Sequence, residues 1–431
     1  LQFVLDTILN NINSPLYRIY NNLITINLES IMPTATGINK IVSYKKETTF
    51  GVLPAAAGAQ TIRRVSSSFN LAKETYQSEE IRTDYQITDF RHGVRSVEGN
   101  VSGELSAGAY ADFLASALAR NWTAATPTTL DSTTIASVGG TYTITRTTGS
   151  YLTDGVRVGN VIRLTGFATA NNDKNLLVIA LTAKAATVIA LNSNTLTPET
   201  VASGGAYVVT GKSTYAPTTG HTDDSYSFES WYSDIGQSEV YVGNKVNTVG
   251  IALPATGLTT VEIGFMGQDL KQRGATQYFT SPTAQGNNGI FAAVNGALIV
   301  NGSPVALVTS ANININRNMT SEAVVGSNVK PEIYEGRIVV EGDFSTLFQD
   351  GVFANYFDTE AEISLVIALT ANSSANSEFM SFTLPRLKLS TDTKDDGEKG
   401  LVSQNSFQAL KGTGANGFEA TTIMIQDSSL V

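Results

Sequence analysis

The feature that most constrains this 431-residue chain is an alternation of period two that returns along its length. Val249, Ile251 and Leu253 alternate with Thr248, Gly250 and Ala252, and Val261, Ile263 and Phe265 repeat the pattern. Ile313 and Ile315 sit between Asn312, Asn314 and Asn316; Ile338, Val340 and Phe344 continue the series around Gly342. Successive side chains of a strand point to opposite faces, so each segment reads as a half-buried antiparallel strand with one polar face. Further strands are expected at 363–369, 379–389, 406–410 and 422–425. Two segments carry a helical period instead. Tyr110, Phe113, Leu114, Ala117 and Leu118 recur at helical spacing behind a candidate N-cap at Ser106. Val352, Phe353, Tyr356 and Phe357 form a shorter version. One apolar stripe per helix predicts that each lies across a sheet face.

Composition narrows the chemistry. There is no cysteine, which removes disulfides, thiolate metal sites and cysteine nucleophiles together. His92 and His221 are the only histidines, so a multi-histidine metal centre is excluded. His92 stands beside Gly93 in a polar loop and His221 in a Thr/Asp linker; both read as surface residues, since a catalytic histidine needs an orienting partner. The acid pairs Glu79/Glu80, Asp223/Asp224 and Asp395/Asp396 read as solvated loop charges, because neighbouring side chains on a strand diverge. Asp223-x-Ser225 and the run from Asp392 to Gly397 fall short of a calcium loop. No cofactor, metal or catalytic group is expected. No apolar run reaches the ~18 residues of a membrane span. The formal charge is -10, so the chain has little counterion-release drive to hold DNA tightly.

The chain repeats itself. Val97-Glu98-Gly99 recurs as Val340-Glu341-Gly342, Ser78-Glu79 as Ser321-Glu322 at the same spacing, and Phe69-Asn70-Leu71 as Ile313-Asn314-Ile315 once a one-residue gap is allowed. Each copy reads strand, long polar loop, strand, helix. The loops at 72–92 and 316–336 carry mixed charge and are long for a compact domain. They are read as arms that order against a neighbouring subunit, with candidate contacts Lys73, Glu74, Glu79, Glu80, Arg82, Asp84, Asp89 and Arg91 on the first, and Arg317, Glu322, Lys330 and Glu332 on the second. Between the copies, 127–217 is dense in Thr, Ala, Val and Gly and reads as an inserted small β domain. Residues 1–31 are rich in Leu, Ile and Asn, lack Gly and Ala, and precede Met32. They read as a non-native leader from a start-site overrun. The expected division is therefore 1–31 leader, 32–126 first repeat, 127–217 insert, 218–310 the remainder of the first repeat and the start of the second, and 311–431 second repeat.

The residues also carry a resemblance. Lys45-Lys46-Glu47-Thr48-Thr49-Phe50-Gly51-Val52-Leu53-Pro54 resembles the opening of tail tube proteins of long-tailed bacteriophages. The run from Ser78 to Asp84 and the run from Gly103 to Leu114 continue it. Phe228-Glu229, Asp234-Ile235-Gly236, Phe265-Met266-Gly267, Leu384-Pro385-Arg386 and Phe407-Gln408-Ala409-Leu410 follow in order. The resemblance implies a mainly β fold: two tail-tube-type β-sandwich or barrel units, each with a flanking helix, plus an inserted small β-barrel domain. It implies a structural virion protein without enzymatic activity, made in the bacterial host cytoplasm and built into the phage tail. Its copies would form rings, three duplicated chains giving a six-fold-like ring, stacked into a tube through which genomic DNA passes without specific binding. The other implied partners are the tape measure protein and the tail terminator and tip proteins, with no membrane. In that family a long hairpin loop contacts the adjacent ring, which singles out the two polar loops.

The rival reading is a surface adhesin or other multi-domain β-sandwich binding protein, for which Thr/Ser/Asn-rich, cysteine-free strands are equally suitable. Regular tubes in electron micrographs separate the two.

Overall fold

A computed structural model describes residues 34–430, apart from Thr169 and Ala306. Segment 1–31 lies outside the described residues. The body is built from two runs of seven strands. The first comprises β1 (Lys40–Lys46), β2 (Ser66–Gln77), β3 (Phe90–Glu104), β4 (Tyr226–Tyr232), β5 (Gln237–Pro254), β6 (Thr260–Gly267) and β7 (Asp269–Gly274). The second comprises β8 (Gly296–Val300), β9 (Val308–Asn316), β10 (Val339–Leu347), β11 (Ile363–Thr370), β12 (Phe379–Lys394), β13 (Val402–Ala409) and β14 (Met424–Asp427). Helix α1 (Ala111–Ala117) follows β3, and α2 (Val352–Asp358) follows β10.

Pairing in the two runs is the same. In the first, β2 pairs β3, β3 pairs β6, β6 pairs β5, β5 pairs β4, β4 pairs β1, and β7 joins the opening half of β5. In the second, β9, β10, β13, β12, β11 and β8 follow the same path, with β14 on the opening half of β12. Even the irregularities recur. A bulge interrupts β5 between Val246 and Thr248 against β6, and β12 between Leu389 and Thr391 against β13. A bulge bends its strand and raises the local twist. Each long strand can therefore serve one set of neighbours with its first half and another with its second.

The Val-Glu-Gly repeat now has a physical reason. Phe69 stands opposite Gly99, and a Cβ there would lie 2.3 Å from the Phe69 ring. At Gly342 a Cβ would lie 2.7 Å from the Phe407 ring and nearer still to the Asn312 carbonyl. An aromatic ring lies across the strand in both copies, and only glycine leaves room. The one-residue gap between Phe69 and Ile313 is also visible: Phe69 pairs Gly99 and Ile313 pairs Gly342.

The core follows from the alternation. Val249, Ile251, Val261, Ile263, Ile313, Ile315 and Val340 are buried in one cluster that runs through both units. In the first unit, Phe69 stacks on Phe228 at 4.5 Å, and Phe228 meets Phe265 edge-on at 4.8 Å. Both helices lie across the long strands, α1 on β5 and α2 on β12. Two details differ from the sequence reading. Ser106 does not cap α1: the helix starts at Ala111, and the buried Ser106 hydroxyl instead accepts a hydrogen bond from Arg63 at 2.8 Å. Phe357 is not packed under α2 but 39% exposed, while Phe353 and Tyr356 face the core. The stripe of a helix this short covers only part of its circumference.

Residues 128–209 form a separate eight-stranded antiparallel sheet around their own core, which includes Ile144, Tyr151, Ile162, Leu164 and Val178. Its two stems pair with each other, Thr123 with Ser213 and Ala124 with Lys212. The sheet does not stand free. Val161, Leu177, Ile179 and Leu191 share a buried cluster with Val366, Ala368 and Phe379 of the second unit, and the Gln426 amide bonds both the N–H and the C=O of Val161. Removing the insert would bare that apolar face.

Two outcomes are expected. Gly99→Ala forces the Phe69 ring aside and lowers stability by about 1–3 kcal/mol in urea denaturation. Burial, with Asp112 adding to it, pushes the Tyr44 and Tyr226 hydroxyls far above the usual phenol range. Unfolded tyrosine ionises near 10.0, so the stability these groups hold is complete below that pH and lost above it. Alkaline titration should give a cooperative rise of tyrosinate absorbance coincident with loss of the β circular dichroism signal.

Candidate functional site

The strands β2–β3–β6–β5–β9–β10–β13–β12 form one continuous antiparallel ladder. The two units are joined within it by β5 and β9, in register from Thr248↔Asn316 to Pro254↔Ser310. One face of this ladder is the core. The other carries Glu98, Asn100, Glu262, Asn312, Asn314, Glu341, Asp343, Gln404 and Gln408. The order is partly held by cross-strand hydrogen bonds, Asn100 to Glu262 at 2.6 Å and Asn312 to Asp343 at 3.2 Å. Among the described residues, β3 from Val97 to Glu104, β6, β5 from Thr248 to Ala252, β9, β10 and β13 put no Lys or Arg on this face. A surface of carboxylates and amides repels or ignores phosphate, whereas proteins that grip DNA offer it cations.

The two polar loops differ. The first is shorter than its sequence suggests, because β2 and β3 stay paired out to Gln77↔Phe90, leaving 78–89 as the tip of a two-stranded arm. Lys73, Glu74, Glu79, Glu80, Arg82, Asp84, Asp89 and Arg91 are all exposed on it. Their ion pairs are local, Arg82 with Asp84 at 3.0 Å and Arg91 with Asp89 at 2.9 Å. Such exposed pairs stabilise little. The tip also exposes Ile81, Tyr85 and Ile87.

The second arm is folded back over the first unit, which corrects the expectation of two equivalent free loops. Arg317 is buried and pairs Glu335 at 2.5 Å. Glu332 pairs the buried Lys245 of β5 at 2.9 Å, while Lys245 also binds Asp223 at 2.7 Å and donates to the Ile333 carbonyl at 2.9 Å. Lys330 donates to Ser321 at 3.0 Å, and its carbonyl accepts from Gln268 at 2.8 Å. The Arg95 N–H reaches the Asn328 carbonyl at 2.8 Å. Of the four second-arm candidates, only Glu322 remains exposed and without a role inside the chain among the described residues. Burial disfavours the Lys245 ammonium, but its hydrogen bonds to Asp223 and Glu332 outweigh that and hold its pKa above the ordinary lysine value. Burial pushes the Glu335 carboxyl up, against the pull of Arg317.

The family model of phage tail tube proteins matches residues 37–409. The chain belongs to the phage tail tube protein family. No curated protein matches it. Membership carries a structural role in the phage tail and self-assembly into its tube. The two histidines are exposed, as are Glu79, Glu80, Asp395 and Asp396. Asp223 and Asp224 are not free loop charges: they pair Lys245 and Lys46, each at 2.7 Å. Sequence reasoning missed Lys245, Asp223 and Glu332 as a cluster, because they lie on three segments that only the fold brings together. It also missed the buried Glu229, which accepts from the N–H groups of Tyr278 and Phe279 at 2.6 and 2.9 Å and anchors that loop to β4. The one available signal was an acid inside the apolar Phe228-Glu229 strand.

Lys245→Met would leave the Ile333 carbonyl unpaired and Glu332 without its cation. A loss of about 1–3 kcal/mol is expected in urea denaturation, with hydrogen-exchange protection falling first at 328–334.

Proposed function

We propose that this tail tube protein forms stacked rings whose lumen is lined by the polar face of the eight-strand ladder, and that genomic DNA passes along that face from capsid to host. The observation that carries the reading is the absence of cations, among the described residues, from the polar face of β3 from Val97 to Glu104, β6, β5 from Thr248 to Ala252, β9, β10 and β13, a continuous sheet that is acidic and amide-rich on that side. A duct needs a surface that does not bind its cargo, and each cation added to phosphate contact strengthens binding. Two like units per chain, joined head to tail, are suited to a three-chain ring with six-fold-like symmetry, since a repeated heterologous contact closes when its rotation divides the circle. The insert, 127–217 in the expected division, decorates the outer wall. The tip of the first arm, with Glu79, Glu80, Arg82 and Asp84 around Ile81 and Tyr85, reaches the adjacent ring. The tape measure protein and the terminator and tip proteins are the remaining partners of such a tube.

Negative-stain microscopy of the purified protein should show regular hollow tubes, or rings that stack at higher concentration. Single particles without rotational symmetry at every concentration would sink the reading. The lumen has its own test. The triple variant Glu98→Lys, Glu262→Lys and Glu341→Lys should still form tubes but retain DNA at low salt, with affinity falling steeply as salt rises. Tubes of this variant that ignore DNA would place the face elsewhere.

A further inference from the structure

The second unit departs from the first at one end of its core. In the first, Val249 and Ile251 of β5 stand opposite Ile263 and Val261 of β6, and all four side chains are buried. Thr391 follows the β12 bulge as Thr248 follows that of β5, so the matching positions are Asp392 and Lys394, opposite Asn405 and Ser403 of β13. Four hydrocarbon side chains are replaced by four polar ones, and Ser403 and Asn405 are still buried. The Asn405 amide donates to the Ser403 hydroxyl at 3.3 Å, Ser403 donates to Asp392 at 3.0 Å, and Asp392 pairs Lys394 at 2.7 Å. The side-chain carbonyl oxygen of Asn405, at the inner end of this chain, is buried and has no partner among the described residues. A buried network with an unmet acceptor costs stability that an apolar core would keep.

The same end of the second unit is open. In the first unit Tyr110 is buried over Gly103 and donates to the Arg63 carbonyl at 2.9 Å, and a Cβ at position 103 would collide with the Tyr110 hydroxyl. Gly342 matches Gly99, so Thr346 stands where Gly103 stands, and its side chain excludes a ring seated as Tyr110 is. Helix α1 buries five residues, Phe113 to Ala117, whereas none of α2 is fully buried. Between α2, the end of β10 and the turn after β8 lies a cavity of about 480 Å³, whose walls include Thr346, Ser403, Phe348, Phe353 and Tyr356. Its volume is that of a small-ligand site. Ser403 joins the polar network to it. The one charged side chain among the described residues of the lining is Asp350, which is exposed.

We propose that this cavity binds a neutral polyhydroxylated ligand, a saccharide unit, with its hydroxyls on Ser403 and Thr346 and its carbon face against the aromatic wall. Aromatic walls with a few placed polar groups are the usual make-up of a small-molecule site, and they suit a ligand with both an apolar face and hydroxyls. Among the described residues the lining offers no cation to a phosphate or carboxylate, and the nearby Lys394 is already paired with Asp392. A purely apolar ligand would leave the lining hydroxyls unpaired. The first unit, with hydrocarbon in place of the network and Tyr110 in place of the cavity, has no such site. The site lies within one chain and does not depend on ring formation.

Saturation-transfer difference NMR of the purified chain with glucose, galactose, mannose and N-acetylglucosamine, each free and as its methyl glycoside, tests the site. At least one should receive magnetisation from the protein. Transfer to a free sugar alone marks a soluble sugar as the ligand; transfer to its glycoside as well marks a unit of a glycan chain. Phe348 is exposed, so Phe348→Ala should leave the fold intact and weaken binding by about tenfold or more. Ser403→Val with Asn405→Ile restores the residue types of the first unit. This double variant should lose the transfer while its urea midpoint stays level or rises, since replacing both partners of a buried polar contact by apolar groups costs little. A lowered midpoint with sugar binding unchanged would assign the network to the fold and overturn the site. No transfer to any of these sugars, or transfer that survives both variants, would overturn it too. So would transfer to dispersed chains that is lost in assembled ones, which would give the cavity to a neighbouring copy.

Discussion

The molecule depends on one hydrogen-bonded seam, β5 against β9. It makes two seven-strand units into a single ladder and lets one apolar cluster run through both. The bulge at Asn247 makes the seam available. Up to Asn244 β5 is held by β4 and β7; from Lys245 it pairs β6, and beyond the bulge it pairs β9 as well. A straight strand of that length would present a single set of neighbours, whereas the bend hands its second half to another sheet. The seam is reinforced where the second arm crosses it. Arg317 donates its backbone N–H to the Asn247 carbonyl at 2.8 Å, and the Met319 N–H bonds the Asn247 side chain at 3.1 Å, so the bulged residue itself is used as an anchor.

Duplication makes that geometry consequential. A single unit of this fold has a donor edge and an acceptor edge, and two units in tandem satisfy one of each. The remaining pair lies at opposite ends of the ladder, without a strand partner among the described residues. The chain's polarity follows the same division. Apolar residues dominate the core side of the central ladder strands, while carboxylates and amides gather on the other, so a closed array would carry a continuous acidic inner or outer wall. The two arms differ in what they meet inside the chain. The second packs over the first unit, and the first projects with Ile81, Tyr85 and Ile87 exposed.

Much of this architecture was legible in the sequence because it is written locally. Alternation of Val249, Ile251 and Leu253 with small polar residues states both that β5 is a strand and which face is buried, since the side-chain period is two whatever the partner. The Val-Glu-Gly repeat located equivalent strands, and the helical spacing of Phe113 and Leu114 located α1. The failures were also physical. Ser106 sits at a plausible distance before the helix, but Arg63, far away in sequence, takes its hydroxyl. Phe357 shares the apolar spacing of Phe353, yet a two-turn helix buries too narrow a stripe to include it. Lys73 and Arg317 look alike as loop cations, and only burial distinguishes them.

What the sequence determined by itself was the strand-rich class, the duplicated order of elements, the polar character of one sheet face and the absence of cysteine. Those properties reside in period, composition and repetition, which need no knowledge of partners. Only the tertiary structure decided which edges are closed and which are open, that Lys245 unites Asp223 and Glu332, and that the insert docks on Val366 and Phe379 through its own apolar face. Each of these joins residues distant along the chain, and no local pattern encodes a distance across a sheet.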